Sequence, residues 1–293
     1  MRRKLILALS FIVGGGLSYL WWQAHGPTIQ GLKKPQLLWV LLGLLGFPIS
    51  LFLQLVRTQI LFGLPSIRPL AKPLLYAHGM NVILPSMLGD VYEISAVSNA
   101  TNIPARAVLT RLLHRLCTTL GALVALAALA IGSVNPSIGF AVLVFAFGCP
   151  IIADLGTRLW SPWVRIPGTQ AIEALQPIGI ARTLAYTLLA LFQHALGACG
   201  VFFIAIGIHH GTSPAIAAMM QSIADLVTYL PIPLAGAGVH HWGITGVTAA
   251  IGSISPTLVA VNHAWVVLGG GLCIPLAMNM MGQDNTSANR HNG

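Results

Sequence analysis

An all-α integral membrane protein is the fold class this sequence predicts, and three observations predict it. Of 293 residues, 56% are hydrophobic and only 7% charged; the mean hydropathy is +0.81, whereas about a quarter of the residues of a soluble domain are charged. Several uncharged runs reach the roughly 20 residues that cross a hydrocarbon core as helix. The weak ten-residue alternation of a membrane β-barrel is missing. One polytopic domain over residues 1–281 therefore accounts for nearly the whole chain, and "GQDNTSANRHNG" over 282–293 is a polar tail expected to be disordered.

The elements follow in order. "MRRK" and the uncharged run from Leu5 to Trp22 look like a signal sequence without a small-residue cleavage site, so a retained first span is expected, with Trp21 and Trp22 as interfacial anchors. A second span runs from Gln36 to Val56 across Pro48. Residues 57–106 break the pattern, because Arg57, Arg68 and Lys72 precede a moderately apolar stretch interrupted by Pro73, Pro85 and Gly89. Ala107 to Ile131 and Ile138 to Leu155 are the next spans, joined by the uncharged turn "SVNPS". "WSPWVRIPGTQAIEALQ" reads as a short interfacial segment in a basic loop, and Thr183 to Ile208 then spans again. A second broken region, 214–255, holds "YLPIPLAGAGVHHWG", where Pro231, Pro233, Gly236 and Gly238 exclude one continuous helix. Thr257 to Met281 is the last span.

About six transmembrane helices plus two broken, re-entrant segments result. Placing the basic loops in the cytoplasm puts both termini, the 57–106 region and the 156–182 loop inside, with Lys33 and Lys34 as exceptions. The two broken segments then enter from opposite faces. "LPSMLGD" beside "LPIPLAG" gives them a modest likeness, the sequence sign of an inverted repeat around a central cavity.

Charge and cysteine usage narrow the function classes. Fifteen Lys and Arg against six Asp and Glu give +9, which in a membrane protein reads as topology and attraction to anionic headgroups. No basic patch with interleaved aromatics points to nucleic acid. Cys117, Cys149, Cys199 and Cys273 all sit in apolar segments without ligand spacing, as free buried thiols do.

The candidate site residues are the few charges that the apolar pattern fails to avoid. Asp90 and Glu93 are three apart and share a helix face, as do Arg111 and Arg115 at four apart. One reading sets the carboxylates against the arginines across a cavity that accepts a phospholipid headgroup, the guanidinium planes holding phosphate. The alternative leaves all four at the cytoplasmic interface, with the arginines snorkelling to lipid phosphates. In the second broken region Asp225, His240 and His241 suit a proton relay or headgroup contact, or else the rings bond carbonyls freed at the break. His194, Asn262 and His263 read as interhelical hydrogen bonders. A metal site from His209, His210, His240, His241 and Asp225 lacks the i, i+4 spacing of a helical ligand pair, so no metal or cofactor is expected. "GAGVHHWG" follows no strand and is not a nucleotide loop. Glycines 14–16, 43, 46 and 269–271 are expected to let helices approach.

"NVILPSMLGDVYEISAVSNATNIPARAVLTRLLHRLCTTLGAL" and "LPIPLAGAGVHHWGITGVTAAIG" together resemble the two signature regions of the lysylphosphatidylglycerol synthase transmembrane family, a flippase-like integral membrane domain. Asn81, Leu84-Pro85 and Gly89-Asp90 match its first motif. Glu93 stands where a basic residue is common, Thr118 follows His114-Arg115 where an acid is common, and His240-His241 replaces a charged pair. The resemblance implies the translocation part without the soluble aminoacyl-transfer domain, and the lost acids imply an anionic or neutral cargo.

The expected function is thus translocation of a lipid or lipid-linked molecule across the cytoplasmic membrane, by alternating exposure of a site formed by Asn81, Asp90, Glu93, Arg111, Arg115, Asp225, His240 and His241. Membrane lipids are the expected partners, and a homo-oligomer is compatible. No catalytic residue is assigned. A membrane transferase acting on a lipid carrier, with Asp90 and Glu93 as its carboxylates, and an accessory assembly protein with a vestigial cavity remain the alternatives.

Overall fold

A computed structural model describes residues 12, 15–24, 35–84, 88–160, 179–209, 211–227, 239–248 and 255–291. Among them every regular element is an α-helix: α1 over 15–24, then α2 (Leu37–Phe62), α3 (Arg68–Ile83), α4 (Leu88–Thr101), α5 (Ala105–Gly132), α6 (Pro136–Trp160), α7 (Ile180–Gly207), α8 (Pro214–Val227), α9 (Val239–Thr248) and α10 (Pro256–His291). Among the described residues, four helices are long and apolar enough to cross a membrane: Leu37–Phe62, Ala105–Gly132, Ile180–Gly207 and the Pro256–Asn279 part of α10. The span expected from Ile138 to Leu155 lies in α6. The first expected span is described only in part, and the segments "WSPWVRIPGTQAIEALQ" and "LPIPLAGAG" fall mostly or wholly outside the described residues.

Local chemistry sets the helix ends. Gly63, at φ 64°, closes α2 by donating its N–H to Gln59 and Ile60 carbonyls, in the left-handed cap conformation glycine adopts without strain. Pro69 occupies the first turn of α3, where its missing N–H costs no hydrogen bond. Asn102, also at positive φ (57°), turns the chain between α4 and α5.

Packing then follows from small residues. α2 runs antiparallel to α7, and a Cβ on Gly43 would sit 2.6 Å from Ile204 and 2.7 Å from the Gly200 carbonyl. Gly46 faces Leu196 and Gly200, and Gly207 faces Val40 and Gln36 in the same register. Backbones this close gain dispersion where lipid offers no hydrophobic drive between helices. Glycines 269 and 270 likewise admit Phe47 and Val82, whereas Gly15 and Gly16 have open space around them, contrary to the expectation for residues 14–16.

α3 and α4 form one helical hairpin, α8 and α9 a second. α3 also packs on α10, and α8 on α5. The outer faces of α2 and α6 present Leu38, Leu41, Leu45, Phe52, Phe140 and Phe145 to the surroundings, the apolar girdle that suits hydrocarbon. Trp22 is exposed as an anchor should be, but Trp21 is fully buried, its indole N–H donating to Thr245 Oγ1 at 3.0 Å. Consecutive helix residues point about 100° apart, and here that turns Trp21 inward onto Thr245 while Trp22 faces out.

Candidate functional site

Two broken regions and the α2/α7 crossing enclose one cavity of about 400 Å³. Gly43, Gly46, Gly197 and Gly200 open its wall where the two long helices touch, and α3, α4, α5, α8 and α10 supply the rest. Its polar side chains include Arg57, Asn81, Asp90, Arg115, Gln193, His194 and Asp225.

Arg115 is the centre of the first polar group. It rises from α5 and makes a fork-to-fork pair with Glu93 of α4, Nη1 to Oε1 at 2.6 Å and Nη2 to Oε2 at 2.7 Å, and also donates to Thr58 Oγ1 at 3.3 Å. Glu93 is almost fully buried, with 3% of its side chain exposed. A carboxylate at that depth is tolerated because both oxygens meet a planar cation.

Asp90 has a different partner. Asn81 Nδ2 donates to Asp90 Oδ1 at 2.8 Å, while Asn81 Oδ1 accepts the Gly89 N–H at 2.9 Å. One amide thus clamps the start of α4 onto α3. Gly89 is required for the approach, because a Cβ there would collide with the Ala77 carbonyl oxygen and come within 2.5 Å of Asn81 Oδ1. The Asn, Gly and Asp spacing in "NVILPSMLGD" is therefore the spacing of a hairpin lock.

Beside this pair, Arg57 of α2 donates to Gln193 Oε1 at 2.7 Å and Thr119 Oγ1 at 3.2 Å, with its guanidinium 4.6 Å from the Tyr186 ring centroid. Gln193 Nε2 continues the chain to Ser50 Oγ at 3.4 Å. Arg57 is 1% exposed, and the stacked ring suits a desolvated guanidinium. A third group joins α7 to α8: Asp225 Oδ2 of α8 accepts from His194 Nδ1 at 2.6 Å and from Gln221 Nε2 at 2.7 Å.

Of the residues expected to act together, Arg115 and Glu93 do meet, and Asn81 meets Asp90. Asp90 does not pair with an arginine as expected; its carboxylate is held by Asn81 instead. Arg111 is buried but does not line the cavity. Asp225 belongs to the cavity, whereas His240 and His241 do not line it and lie beside His263. Sequence reasoning passed over Arg57, Gln193 and His194 as site residues. Arg57 sits at the end of a hydrophobic run and reads as a topology marker just beyond the span expected to end at Val56; only the continuation of α2 to Phe62 brings it inside the helix.

The apolar lining has a geometry of its own. Val91, Leu109 and Leu113 line the cavity and are also exposed on the molecular surface, at 63%, 42% and 41%. The cavity lining contributed by α4 and α5 is thus apolar and exposed. No family model, curated protein or solved structure matches this chain.

Proposed function

We propose that the protein moves a lipid or lipid-linked molecule between the leaflets of the membrane it spans, the cytoplasmic membrane of the cell, with both termini on the cytoplasmic side. The observation that carries this reading is a cavity lined both by charged side chains and by the exposed apolar residues Val91, Leu109 and Leu113 of α4 and α5, which we read as a headgroup pocket with a side mouth toward lipid. A water-soluble solute needs polar walls along its whole path. A lipid needs a polar pocket for its headgroup and an apolar slot through which its chains stay in hydrocarbon. Arg57 and Arg115 offer phosphate donors in fork geometry, and the Glu93 carboxylate holds Arg115 until an anion competes for it.

The architecture supports an inverted repeat. The series α2, α3–α4, α5 is followed by α7, α8–α9, α10 with the same order of long helix, broken hairpin, long helix. Packing exchanges the halves reciprocally, since the first hairpin leans on the last long helix and the second hairpin leans on α5. α2 and α7, the equivalent members, cross antiparallel, as a two-fold axis in the membrane plane demands. Sites of such transporters lie where the repeats meet, and the cavity is there. The resemblance to the lysylphosphatidylglycerol synthase transmembrane family fits this reading through Asn81, Gly89 and Asp90, which build the hairpin lock.

Reconstitution tests it. Vesicles holding the protein and fluorescent phosphatidylglycerol are treated with a membrane-impermeant quencher, and the protein should raise the exchange rate at least tenfold over empty vesicles. A lysyl-modified analogue should move more slowly. Exchange no faster than in empty vesicles would overturn the function, and preference for the lysyl form would overturn the cargo.

A further inference from the structure

His240 and His241 open α9, and His263 comes from α10; one ring nitrogen of each lies within 4.8 Å of the others. Ring centroids are 4.6 Å apart for His240 and His263, 4.6 Å for His241 and His263 and 5.7 Å for His240 and His241. The interplanar angles of 53°, 60° and 87° exclude face-to-face stacking within the trio. His240 is fully buried, His241 is 9% exposed, and Trp21 closes over the His241 ring at 4.5 Å.

The hydrogen-bond balance of these rings is unusual. Among the described residues, both nitrogens of His240, Nδ1 of His241 and Nδ1 of His263 are buried without a partner. Buried polar atoms are satisfied in the great majority of cases, and each exception asks for an unseen group. A neutral imidazole presents one lone pair, so three converging rings present three. Hydrogen bonds among the rings could satisfy some of these atoms, yet none forms.

We propose that His240, His241 and His263 bind a divalent first-row transition ion, with zinc as the representative, and that the ion staples the second broken region to the last span. Imidazole is the ligand type for zinc, copper and nickel, and three protein ligands leave a fourth position for water or another donor. Metal–nitrogen bonds of about 2.0–2.1 Å place tetrahedral ligand nitrogens roughly 3.4 Å apart. The trio must therefore draw together by about 1.4 Å at most, shared between two rings, within reach of small χ1 and χ2 rotations. None of the three lines the cavity described above, so the site is separate from it. The i, i+4 rule fails for His240 and His241 because they do not form a pair by themselves; the third ligand comes from another helix.

The test uses the full chain carrying an affinity tag without histidine, purified in detergent. It is equilibrated with zinc, dialysed and assayed for metal by mass spectrometry, with zinc affinity measured against a chelating dye. About one zinc per chain is expected. His240→Asn and His263→Asn should each weaken binding by at least about 100-fold, since loss of an outer-sphere partner alone costs 10–100-fold. His209→Asn, outside the trio, should bind as the parent does. X-ray absorption of the unsubstituted protein should show about three imidazole nitrogens near 2.0–2.1 Å, a readout that survives if the variants do not fold. Failure of the monodisperse parent to retain zinc, binding indifferent to both His240→Asn and His263→Asn, or a sulfur or all-oxygen ligand shell would overturn the site.

Discussion

Replacing Glu93 by Gln removes the charge that faces Arg115 and leaves the shape nearly intact. Glu93 accepts two hydrogen bonds from the guanidinium, at 2.6 and 2.7 Å, and each charge-assisted bond is worth about 1.5–3 kcal/mol. A Gln offers one oxygen and turns an amide NH₂ toward the second guanidinium nitrogen, so one bond is lost and one contact becomes repulsive. Arg115 keeps Thr58 and 13% of its side-chain exposure, which lets water recover part of the loss. The expected cost is about 3 kcal/mol, at the low end of the 3–5 measured when one member of a buried pair is removed. Arg115→Gln should cost a similar amount. The double variant pairs two amides and should cost about 2 kcal/mol, far below the sum. Unfolding by SDS in mixed micelles, followed by tryptophan fluorescence and circular dichroism, gives the three values and their coupling. Additivity within about 0.5 kcal/mol would mean the two side chains do not interact, and the description of this site would be refuted.

Other outcomes follow from the same geometry. Gly89→Ala should destabilise the protein by about 2–3 kcal/mol through a forced separation of α3 and α4, whereas Gly148→Ala, with nothing within 4 Å of the added carbon, should be neutral or slightly stabilising in the same unfolding assay. Arg57→Gln should slow lipid exchange at least tenfold per folded molecule, while Arg111→Gln, outside the cavity, should alter stability without altering that rate. Leu109→Trp and Leu113→Trp should narrow the side mouth and slow exchange without lowering folded yield; Leu129→Trp, exposed elsewhere on α5, serves as the control, and equal rates in all three would sink the lateral route. Trp21→Ala should cost about 3–5 kcal/mol for a buried indole, readable as a lower midpoint in a detergent melt.

Much of the fold was legible because hydrocarbon imposes one rule on every span: backbone groups must bond within the segment and side chains must be apolar. That rule locates α2, α5, α7 and the apolar part of α10 from composition alone. It also flags the two broken regions, since proline and glycine clusters contradict it. The Asn81, Gly89 and Asp90 lock was half legible, as a motif whose purpose the linear order hides. Arg115 and Glu93 could be named as candidates, but four charges allow several pairings, and the helix periodicity does not choose among them.

What the sequence by itself determined is the solvent, the helical class, the long spans and the places where the chain must break. Only the tertiary structure decided who meets whom. It set Glu93 rather than Asp90 against Arg115, drew Arg57 and Gln193 to one wall, joined His194 to Asp225 across 31 positions, and brought His263 to the two adjacent histidines of α9. The physical reason is that spans are specified by transfer free energy, a sum over local residues. Pairings depend instead on where glycines let backbones close, as at Gly43, Gly89 and Gly200, and those contacts join residues far apart in the chain.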